Sequence, residues 1–369
     1  MATVILAIDL GNAKSVACWY QADDGEHQFR TVRSAPSDFH DLLTDRPVHR
    51  VVMEVSDMAG WIVDLGRALS IPIEVANTNR EAWSWKNVKD KCDKKDGLKL
   101  ARLSALKQLS LVHIPVRSVR EWRSLILYRH KLVDRKTAIQ NAIHAILVRE
   151  GQAMCSDRAA WTPQLFEQLN AMARPLDQCG MEDLWRGHLR MELQTLAHLM
   201  AQMEETERKL NALGRANAQV IRLQTIPGVG PRLSELVVAM LDDPHRFKNA
   251  REVGAYAGMV PRRYQSGQMD RSGRISKAGC RKLRKLLVEI AWGMLRHNDH
   301  GREIFNRISR GQKTRRKQAA VALGRRVLVW CWAMLRDGSD WKVPQTRSLN
   351  AARCRAFGEL PIDAVMHGP

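Results

Sequence analysis

Residues 3–12, TVILAIDLGN, open a succession of strands and helices that decides the fold of the first part of the chain. The apolar, β-branched stretch Thr3–Leu10 predicts a buried strand, and Ser15–Tyr20 predicts a strand that returns beside it. Working outward, the pattern predicts further strands and short helices at Phe29–Val32, Pro36–Leu43, Arg50–Val55, Trp61–Leu69 and Pro72–Ala76. Strands that alternate with helices indicate an α/β domain with a central, partly parallel sheet.

Beyond about Arg80 the pattern is almost entirely helical, with no convincing strand before the loop region near Ala257. Val116–Arg149 predicts one long helix. A later stripe has apolar residues alternately four and three apart: Leu189, Leu193, Leu196, Met200, Met203 and Leu210. That spacing predicts about three heptads of coiled coil, which would make the protein a dimer or a higher oligomer. An ordinary amphipathic helix packed on its own chain gives the same spacing.

Composition points to a globular protein that attracts polyanions. The chain has 369 residues, 45% of them apolar, which is enough for two or three domains. Its formal net charge of +20 favours nucleic acid as a partner. The seven cysteines are scattered and never paired as CxxC, so neither a disulfide framework nor a zinc site is indicated. No signal peptide or membrane-spanning run is recognisable, and we expect a reducing cytoplasm.

Four carboxylates are candidate metal ligands: Asp9, Glu54, Asp93 and Asp96. Asp9 ends the first predicted strand, Glu54 lies within a later strand, and the other two share one face at the start of a predicted helix. Strand ends meet at one edge of an α/β sheet, so the four acids could converge there. Oxygen-only ligands select Mg²⁺ or Mn²⁺, and two such ions would support phosphodiester cleavage. Turn formation, helix capping or an edge-strand position would equally explain each acid taken alone.

Residues 223–241, LQTIPGVGPRLSELVVAML, predict a helix end, a tight turn around Gly228 and Gly230, and a second helix. Backbone N–H groups of the turn and of the second helix would point at one spot, which suits a phosphate. This segment resembles the helix-hairpin-helix module of DNA repair proteins, although a plain helical turn has the same composition.

A Gly- and Ser-rich loop is predicted after the hairpin, with basic residues that would bind a nucleic-acid backbone: Arg262, Arg263, Arg271, Arg274 and Lys277. Ser266, Ser272 and Ser276 are its candidate nucleophiles, and a turn serine is the simpler interpretation of each, since no activating base is nearby in sequence. A second basic block, Asn306–Arg336, includes Arg315, Arg316 and Lys317. Trp330 and Trp332 within it would either stack on bases or pack in the core.

Taken in order, the motifs AIDLGNAKS, VVMEVSD, KCDKKDGLKLARL, IPGVGP and PRRYQSGQ…GRISKAGCRKLR resemble the DEDD transposases of bacterial insertion sequences, the bridge-RNA-guided serine recombinases related to pilin-gene invertases. The resemblance implies an RNase H-like domain similar to the RuvC resolvase, in which Asp9, Glu54, Asp93 and Asp96 bind two Mg²⁺ ions. It also implies that Ser266 attacks DNA with help from a metal, that a structured RNA pairs with donor and target DNA, and that homodimers assemble into a tetramer near the bacterial nucleoid.

We therefore expect an RNase H-like (RuvC-like) α/β domain over residues 1–155, a helical and coiled-coil linker over 156–218, a mainly α-helical C-terminal domain with a helix-hairpin-helix element over 219–342, and a loosely ordered tail over 343–369.

Three other functions share part of the evidence. A hydrolytic RuvC-like Holliday junction nuclease would use the same acids without Ser266. A noncatalytic nucleic-acid scaffold would need only the basic surfaces. An actin-like kinase would begin with a phosphate loop like AIDLGNAKS. It would also need a second Asp-Gly phosphate loop and a Gly-rich adenosine site later in the chain, and neither is recognisable.

Overall fold

The computed structural model describes residues 3–77, 92–152, 161–266 and 269–342. Contacts between Cα atoms divide the chain into two compact units, residues 1–121 and 122–369. The division comes earlier than the predicted boundary at residue 155, and the assignment of a function to each part of the chain stays a prediction. The predicted tail, 343–369, lies outside the described residues.

The first unit is built on a five-stranded mixed sheet. Its strands are β1 (Val4–Asp9), β2 (Lys14–Gln21), β3 (His27–Arg33), β4 (Arg50–Glu54) and β5 (Ile73–Ala76), in the spatial order β3-β2-β1-β4-β5. The first three strands are antiparallel neighbours, whereas β1, β4 and β5 run parallel. The predicted α/β sheet is therefore confirmed, with strand positions close to those that the apolar runs indicated.

Alternate residues of the central strands bury the two faces of this sheet. Leu6, Ile8 and Met53 pack on one face, which is covered by helices α1 (Pro36–Thr44) and α2 (Ala59–Ala68). The residues between them, Ile5, Ala7 and Val52, pack on the other face against helix α3 (Asp93–Ala105). Because both faces are covered, the strands are continuous apolar runs rather than alternating ones.

The second unit is mostly helical. Its helices are α4 (Arg117–Arg149, which begins in the first unit), α5 (Pro163–Met172), α6 (Leu184–Arg215), α7 (Ala218–Leu223), α8 (Pro231–Leu241), α9 (Ala250–Tyr256), α10 (Arg281–His297), α11 (Asp299–Ser309) and α12 (Arg316–Asp337). Every residue from Leu233 to Leu241 is buried, so α8 forms the centre of the main core. No helix in the described ranges is long and apolar enough to span a bilayer.

The apolar stripe of α6 is covered by the chain's own helices. Leu189, Leu193 and Leu196 share a buried cluster with Ile143 and Leu147 of α4 and with Leu169 of α5. An ion pair between Arg129 and Glu207, 2.6 Å apart, joins the same two long helices. The predicted coiled coil between chains is therefore corrected: these leucines bury their surface within one chain, as an ordinary amphipathic helix does.

The predicted serine loop is also corrected. It forms a two-stranded antiparallel ribbon of β6 (Pro261–Ser266) and β7 (Met269–Ile275). All residues of both strands are exposed except Ile275, which is half-buried. Strands are recognised in a sequence by a buried face, and this ribbon has none, so the pattern indicated a loop.

Candidate active site and nucleic-acid interface

Asp9 and Glu54 lie side by side at one edge of the first sheet. They are the last residues of the parallel neighbours β1 and β4, one position beyond the aligned pair Ile8 and Met53. Side chains alternate between faces along a strand, so Asp9 follows Ala7, and Glu54 follows Val52, onto the face that α3 covers. The sheet thus brings these two predicted ligands together.

Helix α3 carries the other two acids in its first turn. It packs on the sheet through Leu100 and Ala101, and its residues contact β1, β2 and β4. Asp96 is half-buried and Asp93 is exposed. All four predicted ligands therefore lie on strands or a helix at the same face of the sheet, with Asp93 the outermost.

A side-chain network at the far end of α3 positions the helix on the sheet. Arg50 of β4 donates to the hydroxyl and to the carbonyl oxygen of Ser104, both at 2.9 Å. Glu74 of β5 lies 3.5 Å from the same guanidinium and accepts from the Ser104 hydroxyl. Because Ser104 and Asp96 belong to one rigid helix, this anchor also sets where Asp96 lies.

A lysine contributes a positive charge near these acids. Partial burial lowers the pKa of the Lys99 ammonium, while the carboxylates of Asp96 and Glu54 act in the opposite direction. The carboxylates of Asp96, on α3, and Glu54, on β4, are therefore both close enough to Lys99 to raise its pKa.

The donor set suits a hard divalent cation, because it consists of carboxylates and already attracts a positive group. In the described part of the chain, however, no three Asp, Glu, His or Cys side chains lie close enough together to share one metal ion. A shared ion would therefore require these carboxylate side chains to turn toward it. Lysines 86, 89 and 91, which flank the acids in sequence, are outside the described residues.

Ser266 stands at the end of β6, at the tip of the exposed ribbon. Its strand partner is Met269, and Tyr264 is paired with Arg271. The hydroxyl of Ser266 is thus presented away from the core of its unit. The intervening residues 267 and 268 are outside the described ranges.

The base of the ribbon is held by close backbone contacts. The amide of Ser276 donates to the carbonyl of Val260 at 2.8 Å, and that of Lys277 donates to Gly258 at 3.0 Å. One guanidinium nitrogen of Arg284 donates to the carbonyl oxygens of Ala257, Ala278 and Gly279. The ribbon is exposed, but several hydrogen bonds fix its base to the core of the second unit.

The three candidate serines have different environments. Ser266 and Ser272 are exposed, whereas the hydroxyl oxygen of Ser276 is buried without a hydrogen-bond partner in the described structure. Ser272 is paired with Arg263, one position along from the pair Tyr264 and Arg271, and three positions along from the pair that contains Ser266. Because side chains alternate between faces, Ser272 lies on the face opposite to Ser266. Only one of the two accessible serines can therefore face a given substrate.

The predicted helical hairpin is present, with α7 ending at Leu223 and α8 beginning at Pro231. Gly228 is exposed with φ +93°, and the turn is held by the buried Asn298, whose amide donates to the carbonyl of Pro227 at 3.2 Å. Within the described ranges, the amides of Gly228 and Gly230 donate to no backbone carbonyl. These N–H groups, beside the start of α8, remain available to an anion.

The sequence did not identify the buried charge that supports this hairpin. Glu235 of α8 is fully buried and bonded to Arg232 at 2.8 Å, while Arg232 also donates to Asn211. Burial raises the pKa of Glu235, and Arg232 opposes that rise. A Cβ at Gly214 would lie 2.8 Å from a carboxylate oxygen of Glu235, so α6 leaves room for it. The charged residue inside the apolar run LSELVVAML was the available signal.

The predicted basic residues are mostly on the surface. Arg271, Arg274 and Lys277 are exposed, Arg262 donates to the Ser276 carbonyl at 3.3 Å, and Arg263 is paired with Asp270 at 2.5 Å. Arg315, Arg316 and Lys317 surround the start of α12, where the positive end of the helix dipole disfavours cations. A polyanion would offset this repulsion.

The two tryptophans of this block have different roles. Trp332 is buried, and its indole N–H donates to the carbonyl of Pro244 at 2.8 Å, so it is a core residue. Trp330 is half-buried and contacts the rings of His300 and Trp341.

Comparisons with known proteins identify the family. A family model described as "Transposase IS116/IS110/IS902 family" matches residues 221–306. A probable family 20 transposase of Pseudomonas aeruginosa is 31% identical over 230 residues, which cover 61% of this chain and 67% of the relative. The transposase for insertion sequence element IS1111A of Coxiella burnetii is 26% identical over 333 residues, 90% of this chain and 89% of the relative.

Among solved structures, T. thermophilus RuvC in complex with a Holliday junction substrate matches 30% of this chain and 99% of that chain at 10% identity. Its TM-score of 0.23 is too low to establish a common fold. The sequence matches span both units, and the chain belongs to the IS116/IS110/IS902 family of insertion-sequence transposases, enzymes that cut and rejoin DNA.

Proposed function

We propose that this transposase cuts DNA through the hydroxyl of Ser266, with Mg²⁺ or Mn²⁺ held by Asp9, Glu54, Asp93 and Asp96. The observation that carries the proposal is the position of Ser266 at the tip of an exposed ribbon with a firmly bonded base. A nucleophile must reach a phosphate inside a bulky duplex while keeping its orientation. An exposed ribbon whose base is fixed by hydrogen bonds provides both the reach and the fixed orientation.

The other two serines are poorer candidates. Ser276 keeps its hydroxyl buried, which prevents contact with DNA. Ser272 faces the side of the ribbon where Arg263 and Asp270 neutralise each other, whereas the side of Ser266 retains an unneutralised arginine. A phosphate is attracted to the positive side.

The chemical step is a transesterification. The Oγ atom of Ser266 forms a bond to phosphorus, and the bond between phosphorus and one deoxyribose oxygen breaks. The hydroxyl proton passes to a base, and the leaving oxygen takes up a proton to become an alcohol. The product is a serine–phosphate ester to the other DNA end, and the reverse reaction with a new deoxyribose hydroxyl rejoins the strands without an external energy source.

The four acids supply the metal site. Asp9 and Glu54 end neighbouring strands, and Asp96 lies on the helix that covers them, so a bound ion would draw three carboxylates from one face of the sheet. Asp93, one turn earlier on α3, would complete the set. Bound Mg²⁺ would stabilise negative charge on the reacting phosphate and promote loss of the serine proton. The same arrangement supports the proposal that the first unit is RNase H-like.

The basic surfaces would bind both DNA and a structured guide RNA. The free amides of Gly228 and Gly230 and the cations around Arg315 contact backbone phosphates without reading sequence. A separate RNA that pairs with donor and target would then provide the sequence recognition that these contacts lack. Homodimers that assemble into a tetramer would hold the DNA ends together, through surfaces other than the buried leucines of α6.

The test incubates the full chain with its cognate structured RNA and a labelled DNA in the presence of Mg²⁺. We expect a protease-sensitive protein–DNA adduct with the native protein, none with Ser266→Ala, and a native yield with Ser272→Ala. Omission of Mg²⁺ or the change Glu54→Gln should also abolish the adduct. Cleavage without an adduct that survives Ser266→Ala would instead indicate a hydrolytic nuclease, and binding without metal-dependent cleavage would indicate a scaffold.

A further inference from the structure

The strand register assigns the ribbon's residues to two different faces. Directly opposite residues of an antiparallel pair share a face, as do residues two apart on one strand. Ser266 is opposite Met269, and Tyr264 is opposite Arg271, so these four form one face. We call it the serine face.

The opposite face contains its own ion pair. Gln265 is paired with Asp270 and Arg263 with Ser272, and the Arg263 guanidinium binds both oxygens of Asp270 at 2.9 and 2.5 Å. This pair holds the pKa of the Asp270 carboxyl below its usual range. The diagonal contact independently supports the register, because the two side chains could not meet from opposite faces.

Two of the ribbon's four arginines, Arg263 and Arg271, therefore differ in what they can bind. The guanidinium of Arg263 is already bound to the carboxylate of Asp270. Arg271 is exposed, and in the described structure no Asp or Glu is paired with it. It is the charged group of the serine face and points to the same side as the Ser266 hydroxyl.

Tyr264 adds an exposed ring to the serine face. It is 58% exposed, and it leans over Gly273, where a Cβ would lie 3.2 Å from the ring. Met269, opposite Ser266, is 49% exposed. A two-stranded ribbon with such side chains in water is marginally stable, which favours a bound partner that covers it.

We propose that Arg271 binds the non-bridging oxygens of the phosphate that Ser266 attacks, and that the Tyr264 ring packs on the adjoining nucleotide. This inference rests on the proposed role of Ser266. A guanidinium fork matches two phosphate oxygens and stabilises the charge that develops on them, while an aromatic ring contacts any nucleotide without sequence preference. Arg271 is then a catalytic residue, and Tyr264 is a positioning residue.

The experiment measures single-turnover formation of the serine–DNA adduct and, separately, the Kd for the DNA in the presence of RNA. Arg271→Gln should slow adduct formation roughly 100-fold, the loss typical for one charge-stabilising donor. Arg271→Lys keeps the positive charge but loses the two-pronged guanidinium. Its rate of adduct formation should lie between those of the native protein and Arg271→Gln. Tyr264→Ala should slow the reaction about tenfold because the nucleotide is less well oriented, and Tyr264→Phe should react like the native protein. The Kd should change less than about threefold, since many other phosphate contacts remain.

Matched controls are available on the same protein. Gln265→Ala alters the opposite face of the ribbon, and Arg251→Gln removes one exposed positive charge from α9. Neither should slow adduct formation more than about twofold. Thermal melting of each variant checks that the unit stays folded.

A second readout separates direct contact from general damage to the ribbon. Replacing one non-bridging oxygen of the scissile phosphate by a methyl group removes the charge that Arg271 would bind. On this DNA, the native protein should form the adduct much more slowly than on unmodified DNA. Arg271→Gln should form it at nearly the same rate on both DNAs, because its contact to the phosphate is already absent. Equal further losses in both proteins would overturn the contact. If the native protein forms no adduct at all, the proposed function itself fails; if the adduct forms at the native rate in Arg271→Gln and Tyr264→Ala, only this inference fails.

Discussion

A Cβ atom at Gly258 would lie 1.8 Å from the carbonyl oxygen of Ala278, so two backbone segments cross there without space for any side chain. The crossing lies at the base of the β6–β7 ribbon, next to the hydrogen bond from the Lys277 amide to Gly258. The position of Ser266 therefore depends on a glycine that is eight residues away along the chain.

Gly258→Ala should separate the ribbon from the core. Its φ of +68° disfavours alanine, and the backbone contact forces the crossing apart, so we expect a loss of at least about 3 kcal/mol in the free energy of unfolding. Gly151→Ala is the matched control, because Gly151 has φ +67° and a Cβ added there would meet no atom within 4 Å, and it should cost only about 1 kcal/mol. Urea denaturation measures both; equal losses would show that the crossing adds nothing.

Divalent cations should stabilise the first unit through its acids. A ligand that binds only the folded state at 100 times its Kd adds about 2.7 kcal/mol, which is a rise of several degrees in Tm. We expect Mn²⁺ to raise the Tm of the native chain, and Asp9→Asn or Glu54→Gln to remove that rise. Asp41→Asn changes an exposed acid on α1, across the sheet, and should keep it. A rise that persists in both site variants would exclude these acids as ligands.

Removing the partner of the buried Glu235 should be costly. Arg232→Met leaves a carboxylate that is fully buried without its cation, and breaking such a pair typically costs about 3–5 kcal/mol at neutral pH. Adding Glu235→Gln to the same chain should recover part of the loss, because no charge then remains unpaired. The exposed Arg208→Met on α6 is the control. Urea midpoints should show the recovery; its absence would mean that Arg232 acts by packing alone.

His130 predicts a loss of stability in acid. Burial, followed by the nearby cations Arg129 and Lys282, lowers the pKa of His130 from 6.5 to about 4. The unfolded chain therefore binds a proton at a higher pH than the folded one. Neutral His130 therefore contributes to the free energy of unfolding in full above pH 6.5. This contribution is lost as pH falls toward about 4, and its upper limit is roughly 3 kcal/mol.

The measurement is unfolding free energy against pH for the native chain and for His130→Gln. The variant should lack this component of the slope, while His198→Gln, which changes an exposed histidine on α6, should keep it. Parallel curves for the native chain and His130→Gln would contradict the assignment.

The parts of the fold that the sequence predicted share a strong local pattern. The apolar runs of β1 and β4 and the long helix α4 bury their own side chains along a regular repeat, and that repeat is visible without any tertiary contact. The ribbon buries nothing and gave no such repeat. The stripe of α6 was visible, but a stripe does not say whether its partner is the same chain or another one.

The sequence also located the residues of the candidate site, but not the contacts between them. Strand ends located Asp9 and Glu54, and helical spacing placed Asp93 and Asp96 on one helix. Lys99 flanks the acids in sequence, but its closeness to Glu54 could not be predicted, since it depends on the approach of α3 to β4. The distinction between Ser266, Ser272 and Ser276 likewise needed the strand register, because a shift of one residue would exchange the faces.

By itself, the sequence determined an α/β sheet followed by helices, a strongly basic chain, a helical hairpin with a glycine turn, and the ordered motifs of a transposase. These follow from local periodicity, composition and residue type. The tertiary structure alone decided that α6 packs on its own chain, that the serine segment is a ribbon, and that Tyr264 and Arg271 share a face with Ser266. Those features depend on contacts between residues distant in the chain or on strand register, and the free energy that selects them is not encoded in any single segment.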